Sequence, residues 1–312
     1  MKRLEHYTDL EKSARGAVIA LGNFDGIHRG HQVVINKAVS IAKNFAAPLA
    51  IACFRPHPSQ YFDPDCLPFR LMSPRMRARI LSDMRVDMLY EIPFDKTLTQ
   101  MSDEDFVEIV LHQGLGIKHV VVGEDFRYGH KRYGNFASLQ KHCAARGIGV
   151  TGIKPISLHQ SYGKYGSTEI RQALRDGDVF FAAHMLSRPW IVDGEVVMGD
   201  QLGRTLGFPT ANLYFYDRIH PKPGIYAAKC RIEGENEWLK GVAYVGERPT
   251  VGGVDHRLEM HIFDFDRDIY GKILEVAFRT FIRADEKFDN LESMIEQMKK
   301  DKDGARAIFG ML

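Results

Sequence analysis

Apolar residues in the first half of the chain follow two alternating patterns. Short, largely apolar runs occur at Ala17–Leu21, Leu49–Phe54, Val86–Ile92, His119–Gly123 and Gly147–Ile153. Their length and composition are those of strands buried on both faces. Segments of helical period lie between them. Val33, Val34, Ala38, Ile41, Ala42 and Phe45 share one face of a helix over Gln32–Phe45. Ser73-Pro74 supplies an N-cap and an N1 proline for a helix to about Asp83. Ser102 caps a further helix whose first turn, Asp103, Glu104 and Asp105, complements the helix dipole. Strands separated by helices of this length predict βαβ units, a parallel sheet, and a ligand site beyond the strands' carboxyl ends.

The period changes near Arg188-Pro189-Trp190, just after an apolar helix over Asp178–Leu186. Period-two stretches follow at Ile191–Met198, Gly224–Ile232, Trp238–Val245, Arg257–Phe265 and Lys272–Ile282, most of them separated by glycine or proline. This spacing predicts a small antiparallel barrel. A closing helix over about Asn290–Lys300 places Leu291, Met294, Ile295 and Met298 on one face. The expected organisation is an α/β domain over residues 1–187 and a barrel domain over residues 188–312.

Composition narrows the classes. The 312 residues are 45% hydrophobic and 26% charged, which is ordinary for a globular protein. A net charge of +2 gives no reason to expect a nucleic-acid or membrane partner. Cys53, Cys66, Cys143 and Cys230 are scattered without a CxxC pair, which fits a reducing compartment and a cytoplasmic location. The first sixteen residues lack the apolar core of a signal peptide, and no apolar run reaches membrane-spanning length. Self-association is not readable from the sequence.

Candidate chemistry concentrates in loops at strand ends. Leu21–His31 reads LGNFDGIHRGH and joins the first strand to the first helix, where amides and the helix dipole favour an anion. His28 and His31, three apart in the helix's first turn, share a face, and Gly30 between them leaves room for a phosphate. An isolated HxxH is as easily a pair of surface histidines, and no third ligand follows at a metal-site spacing. Phe54-Arg55-Pro56-His57-Pro58, followed by Tyr61 and Phe62, reads by itself as a rigid turn. Gly123–Asn135 mixes glycines, aromatics and basic residues suited to a flat ring and a phosphate. Gly163–Leu174 places Thr168 and Arg171 near a helix N-terminus. Gly147–Gly152 matches GxGxxG but runs from a helix into a strand, the reverse of a dinucleotide fingerprint. In the second half, Thr210 and Asn212 offer hard oxygen ligands for Mg²⁺ within Gly203–Leu213. Strand alternation sets Glu259 and His261 opposite Leu258, Met260 and Ile262, so Glu259 is a candidate general base or a solvent-facing carboxylate.

Taken together, LGNFDGIHRGH, FRPHP, GEDFRYGHKRYG, GSTEIRQAL, GRTLGFPTANL, KPGIY, GVAYVGERPT, LEMHIFDFDRDIYG and FIRADEKFD resemble, in order and over nearly the whole chain, the prokaryotic bifunctional FAD synthetase family. The resemblance implies a Rossmann-like nucleotidyltransferase domain with a parallel sheet, then a riboflavin kinase β-barrel. It implies two ATP-dependent reactions needing Mg²⁺, riboflavin to FMN in the barrel and FMN to FAD in the first domain. His28, His31 and Arg171 would then act at the α-phosphate of ATP, with Gly22, Asn23, Phe24, Asp25, Ser167 and Thr168 lining the nucleotide site. His57, Phe62, Asp125 and Tyr128 would form the FMN side. In the barrel, Gly203, Gly207, Pro209, Thr210 and Asn212 would bind ATP, Thr210 and Asn212 also Mg²⁺, Glu259 would be the base, and Arg283 would lie near the flavin. The sequence departs from the family pattern at Gly166, usually serine, at Asn135, usually aspartate, and at Tyr244, usually asparagine. A nucleotidyltransferase for another phosphorylated acceptor and a non-catalytic flavin sensor are the rival readings; both histidines and Glu259 count against the sensor.

Overall fold

The computed structural model describes residues 1–156, 165–199, 202–250 and 253–311. It divides into two compact units, Met1–Cys66 with Pro74–Gly166, and Leu67–Ser73 with Ser167–Leu312. The helices over residues 167–186, grouped with the first domain on sequence, therefore pack within the barrel unit.

In the first unit a six-stranded parallel sheet runs β1 (Lys2–Leu4), β4 (Met88–Pro93), β3 (Leu49–Arg55), β2 (Val18–Leu21), β5 (His119–Gly123), β6 (Gly149–Ile153). The helices are α1 (Arg29–Asn44), α2 (Pro58–Phe62), α3 (Pro74–Asp83), α4 (Lys96–Gln100), α5 (Asp103–Asp105) and α6 (Phe136–Ala144). The sheet is built from the five apolar runs, with β1 as an addition; three residues at an edge carry too little pattern to be read. Strand β2 has β3 on one side and β5 on the other, so strand order reverses at its carboxyl end. Such a reversal opens a crevice for ligand, and Gly22–His31 emerges into it. Strand β2 is wholly buried, as a central parallel strand must be. After α5 the chain continues as a π-helical segment, Phe106–Gly114, which buries Phe106, Val107, Val110 and Leu111 in the core under the sheet.

The second unit holds α7 (Ser167–Asp176), α8 (Val179–Leu186), β7 (Ile191–Glu195), α9 (Leu202–Thr205), β8 (Ala211–Tyr214), β9 (Gly224–Ile232), β10 (Leu239–Thr250), β11 (Gly253–Ile262), β12 (Ile273–Ala284) and α10 (Leu291–Ile308). Its strands pair antiparallel in the order β7-β12-β9-β10-β11-β8. A bridge between Val197 and Asn212 brings the two ends together, so the sheet is a nearly closed barrel. Trp190 is buried against Phe278, ring centroids 4.9 Å apart, and donates from Nε1 to Leu71 O at 2.8 Å. Ser73 Oγ donates to Asp193 Oδ2 at 2.7 Å, and Arg218 pairs with Asp193 Oδ1 at 2.7 Å. The bonds of Leu71 and Ser73 tie Leu67–Ser73 to the barrel. Strand β8 lies in a stretch the sequence reads as loop, and α10 runs about two turns further than its apolar face indicates.

Candidate active sites

Helix α1 begins at Arg29, not Gln32, so His28 is its N-cap and not a first-turn residue. His28 Nδ1 accepts from the His31 backbone N–H at 3.3 Å. A neutral His28 ring therefore carries its proton on Nε2. The His28 and His31 rings stack at 3.7 Å and 22°, and Phe24 meets His31 edge-on at 5.1 Å. Phe24 and Ile27 hold left-handed backbone, φ 51° and 43°, on either side of buried Asp25. Such conformations are costly for side-chain-bearing residues and recur where a turn is fixed for function. A Cβ at Gly30 would press on the His28 ring at 3.1 Å and on Tyr165 O at 3.3 Å, so this turn has no room for a larger residue.

Beside this turn lies a cavity of about 440 Å³. Gly22, Asn23, His57, Phe62, Asp125 and Tyr128 all line it, bringing together residues from the first three loops. Asn23 Oδ1 is buried without a hydrogen-bond partner among the described residues, a state that a ligand donor would relieve. His57 caps α2 through Nδ1, accepting from Ser59 N at 3.2 Å. Tyr128 is buried, stacked on Phe126 at 5.7 Å and 10°, and hydrogen-bonded through its hydroxyl to Ser138 at 3.3 Å. Burial raises its phenol pKa. Phe62 is exposed and sits edge-on to Tyr61 and Phe94. Phe54, from FRPHP, and Phe94, which lies in no motif, complete an aromatic wall. Both stand at or just past the carboxyl end of a parallel strand, the position that could have revealed them.

In the second unit, Ser167 opens α7, whose buried face is Ile170, Ala173 and Leu174. Arg171 Nε donates to Phe69 O at 2.7 Å, and its guanidinium lies 5.3 Å over the Phe69 ring. Gly163 and Lys164 of this stretch lie outside the described residues.

The barrel carries a cavity of about 470 Å³. One row of cross-strand neighbours lines it: Arg283 opposite Ile225, Ile225 opposite Tyr244, Tyr244 opposite Glu259, and Glu259 opposite Asn212. Five strands thus each give one residue to a single wall, and the pleat turns all five the same way. Thr210 Oγ1 lies 3.4 Å from Glu259 Oε2, and Asn212 Nδ2 donates to Thr210 O at 3.3 Å. A Cβ on Gly199 would fall 2.6 Å from the Asn212 amide, so only glycine admits that side chain here. Gly203, in α9, also lines the cavity, and a Cβ there would strike Phe208 O; Gly207 and Pro209 follow in the turn into β8. His261 also lines this cavity; burial lowers its pKa, and its Nδ1 contacts Pro209 O at 2.9 Å. Arg283 forms a two-pronged pair with Asp301, at 2.9 and 2.8 Å, which holds it at the cavity wall. Tyr244 Oη donates to Asp285 Oδ2 at 2.9 Å. The alternation of β10, with Ala243 and Val245 buried, marks Tyr244 as a wall residue.

A nucleotidyltransferase-like α/β unit and a riboflavin kinase-like barrel in one polypeptide define a two-centre transferase. The FAD synthetase family profile matches residues 10–167, and the riboflavin kinase profile matches residues 186–309. The chain belongs to the bifunctional riboflavin kinase/FMN adenylyltransferase family. It is 37% identical over 295 residues to the protein of that name from Haemophilus influenzae, covering 95% of each chain. It is 36% identical to that from Listeria monocytogenes, covering 99% of this chain and 96% of the relative. A crystal structure described as a macrolide-efflux protein from Streptococcus pneumoniae superposes with a TM-score of 0.87 at 30% identity, covering 98% of this chain and 99% of the other. Among the described residues no helix is long and apolar enough to cross a membrane.

Proposed function

We propose that each half of the chain carries one step of FAD formation, the division falling near residues 187 and 188. The chain converts riboflavin to FMN and FMN to FAD, with ATP as co-substrate in both steps. In the barrel, Glu259 accepts the proton of the ribityl 5′-hydroxyl as that oxygen attacks the γ-phosphorus of ATP and ADP leaves. The row of Tyr244, Glu259 and Asn212 is the observation that carries this reading, because it fixes a carboxylate between a cavity wall and two hard oxygen donors. Thr210 Oγ1 and Asn212 Oδ1 form a donor set that fits Mg²⁺, which prefers oxygen and is shared with phosphates. When bound, Mg²⁺ supplies charge neutralisation on the polyphosphate. Gly203, Gly207 and Pro209 shape the loop that receives the triphosphate.

In the second step a phosphate oxygen of FMN attacks the α-phosphorus of ATP, and pyrophosphate leaves. His28 and His31 donate to oxygens on which charge builds. Ser167, Thr168 and Arg171 bind phosphate oxygens of ATP, and the backbone from Gly22 to Asp25 lines the nucleotide site. His57, Phe62, Asp125 and Tyr128 hold FMN. Substrates are small molecules and the setting is the cytoplasm. The test is a time course with riboflavin and MgATP, separating the flavins by chromatography. FMN should appear first and FAD after it; folded protein that leaves riboflavin and FMN unchanged would overturn the reading.

A further inference from the structure

The loop that closes the first unit's cavity holds an unexplained strain. Tyr128 and Gly134 pair as an antiparallel bridge, with N–O distances of 3.2 and 3.0 Å, and close the loop at its base. His130 pins its tip, donating from its backbone N to Met101 O at 2.7 Å and placing Nδ1 2.9 Å from Thr99 O. Between these anchors Lys131 and Arg132 both take left-handed backbone, φ 50° and 60°. Two consecutive side-chain-bearing residues in that region are rare, and the surroundings must force them there. Neither residue is buried, so packing of their side chains does not account for the conformation. What the conformation does is set both cations on the cavity wall.

The charges of the two cavities differ in sign. In the first, Arg127, Lys131 and Arg132 face one carboxylate, Asp125. In the barrel, Glu259, Asp285, Glu286 and Asp301 face Arg283 and Lys302. The first cavity thus carries an excess of positive charge and the second an excess of negative charge. Riboflavin is neutral and FMN is a dianion near neutral pH.

We infer that Lys131 and Arg132 are the residues by which the first cavity selects the phosphorylated flavin over riboflavin, the strained turn serving to hold both cations against the flavin phosphate. The inference rests on the reading of the first cavity as the FMN site. Charged hydrogen bonds to phosphate are the strong ones, and each is worth on the order of a tenfold change in affinity.

The test compares wild type with Lys131→Gln/Arg132→Gln and with Lys131→Gly/Arg132→Gly, measuring FAD formation from FMN, thermal unfolding, and riboflavin as competitive inhibitor of that step. Both variants should raise KM for FMN by about 10- to 100-fold while kcat moves less than about threefold. The inhibition constant of riboflavin should stay within about twofold, so that discrimination between the two flavins collapses. The glycine variant should unfold at or above the wild-type temperature, because glycine adopts this backbone without strain. An unchanged KM for FMN in both variants, or an equal loss of FMN and riboflavin binding, would overturn the inference. A separate variant, Ser59→Trp, obstructs the cavity. If it leaves KM for FMN unmoved, the placement of FMN in this cavity fails, whatever the cations do.

Discussion

Replacing Glu259 with glutamine removes one proton acceptor while keeping the size and shape of the side chain. Glutamine has the same shape and stays in the cross-strand row between Tyr244 and Asn212. The contact from Thr210 Oγ1 is long, 3.4 Å, so its weakening costs less than about 1 kcal/mol of stability. Loss of a positioned general base lowers a rate by roughly 10²- to 10⁴-fold. Because none of the residues lining this cavity is among those assigned to adenylyl transfer, that step should not feel the change. Glu259→Gln is therefore expected to form FMN from riboflavin about a thousandfold more slowly and to convert supplied FMN to FAD within about twofold of wild type. The assay follows each half-reaction by flavin chromatography, with circular dichroism melts to certify folding. Equal loss of both reactions in a folded variant, or full kinase activity, would refute the reasoning.

With His31 donating to the developing charge as proposed, His31→Ala should lower FAD formation by roughly 10²- to 10³-fold with little change in KM for FMN; a purely structural role would instead lower the melting temperature and leave the rate of the folded fraction unchanged. Gly199→Ala would force the Asn212 amide from its place, so the kinase reaction should require severalfold more Mg²⁺ while FAD synthesis from FMN is unaffected, as a Mg²⁺ titration of both reactions would show. His119 and His261 both have pKa values lowered, in each case first by burial. The unfolded chain then binds more protons than the folded one between their folded-state values and about 6.5. Stability should accordingly fall as pH drops through that window, and denaturant unfolding at pH 7.5 and 5.5 should show a smaller difference in His261→Gln than in wild type.

Much of this architecture is legible because two periods dominate. The apolar runs ending at Leu21, Phe54 and Gly123 are long enough to mark central parallel strands, and alternation over Arg257–Phe265 sets Glu259 apart from its buried neighbours. What was not legible depends on pairing across sequence distance. Lys2–Leu4 becomes a strand only because Met88–Tyr90 lies beside it. Ala211–Tyr214 reads as loop because glycine and proline precede it, yet β11 and the bridge to Val197 make it a barrel strand. Apolar spacing starts α1 three residues late, since His28 as a cap is set by its bond to His31 N. Phe94 lies in no motif and Tyr244 departs from the pattern of its own; their places on the cavity walls come from position at a strand end and from register.

The central claim is that two self-sufficient centres share this chain, linked by FMN that leaves one and enters the other. It is tested most directly by mixing two disabled proteins. Glu259→Gln should make FAD from FMN but not from riboflavin, and His28→Ala/His31→Ala should stop at FMN. Mixed together with riboflavin and MgATP, they are predicted to produce FAD after a lag in which free FMN accumulates. A mixture that makes no FAD, while each variant keeps its own half-reaction, would contradict the account.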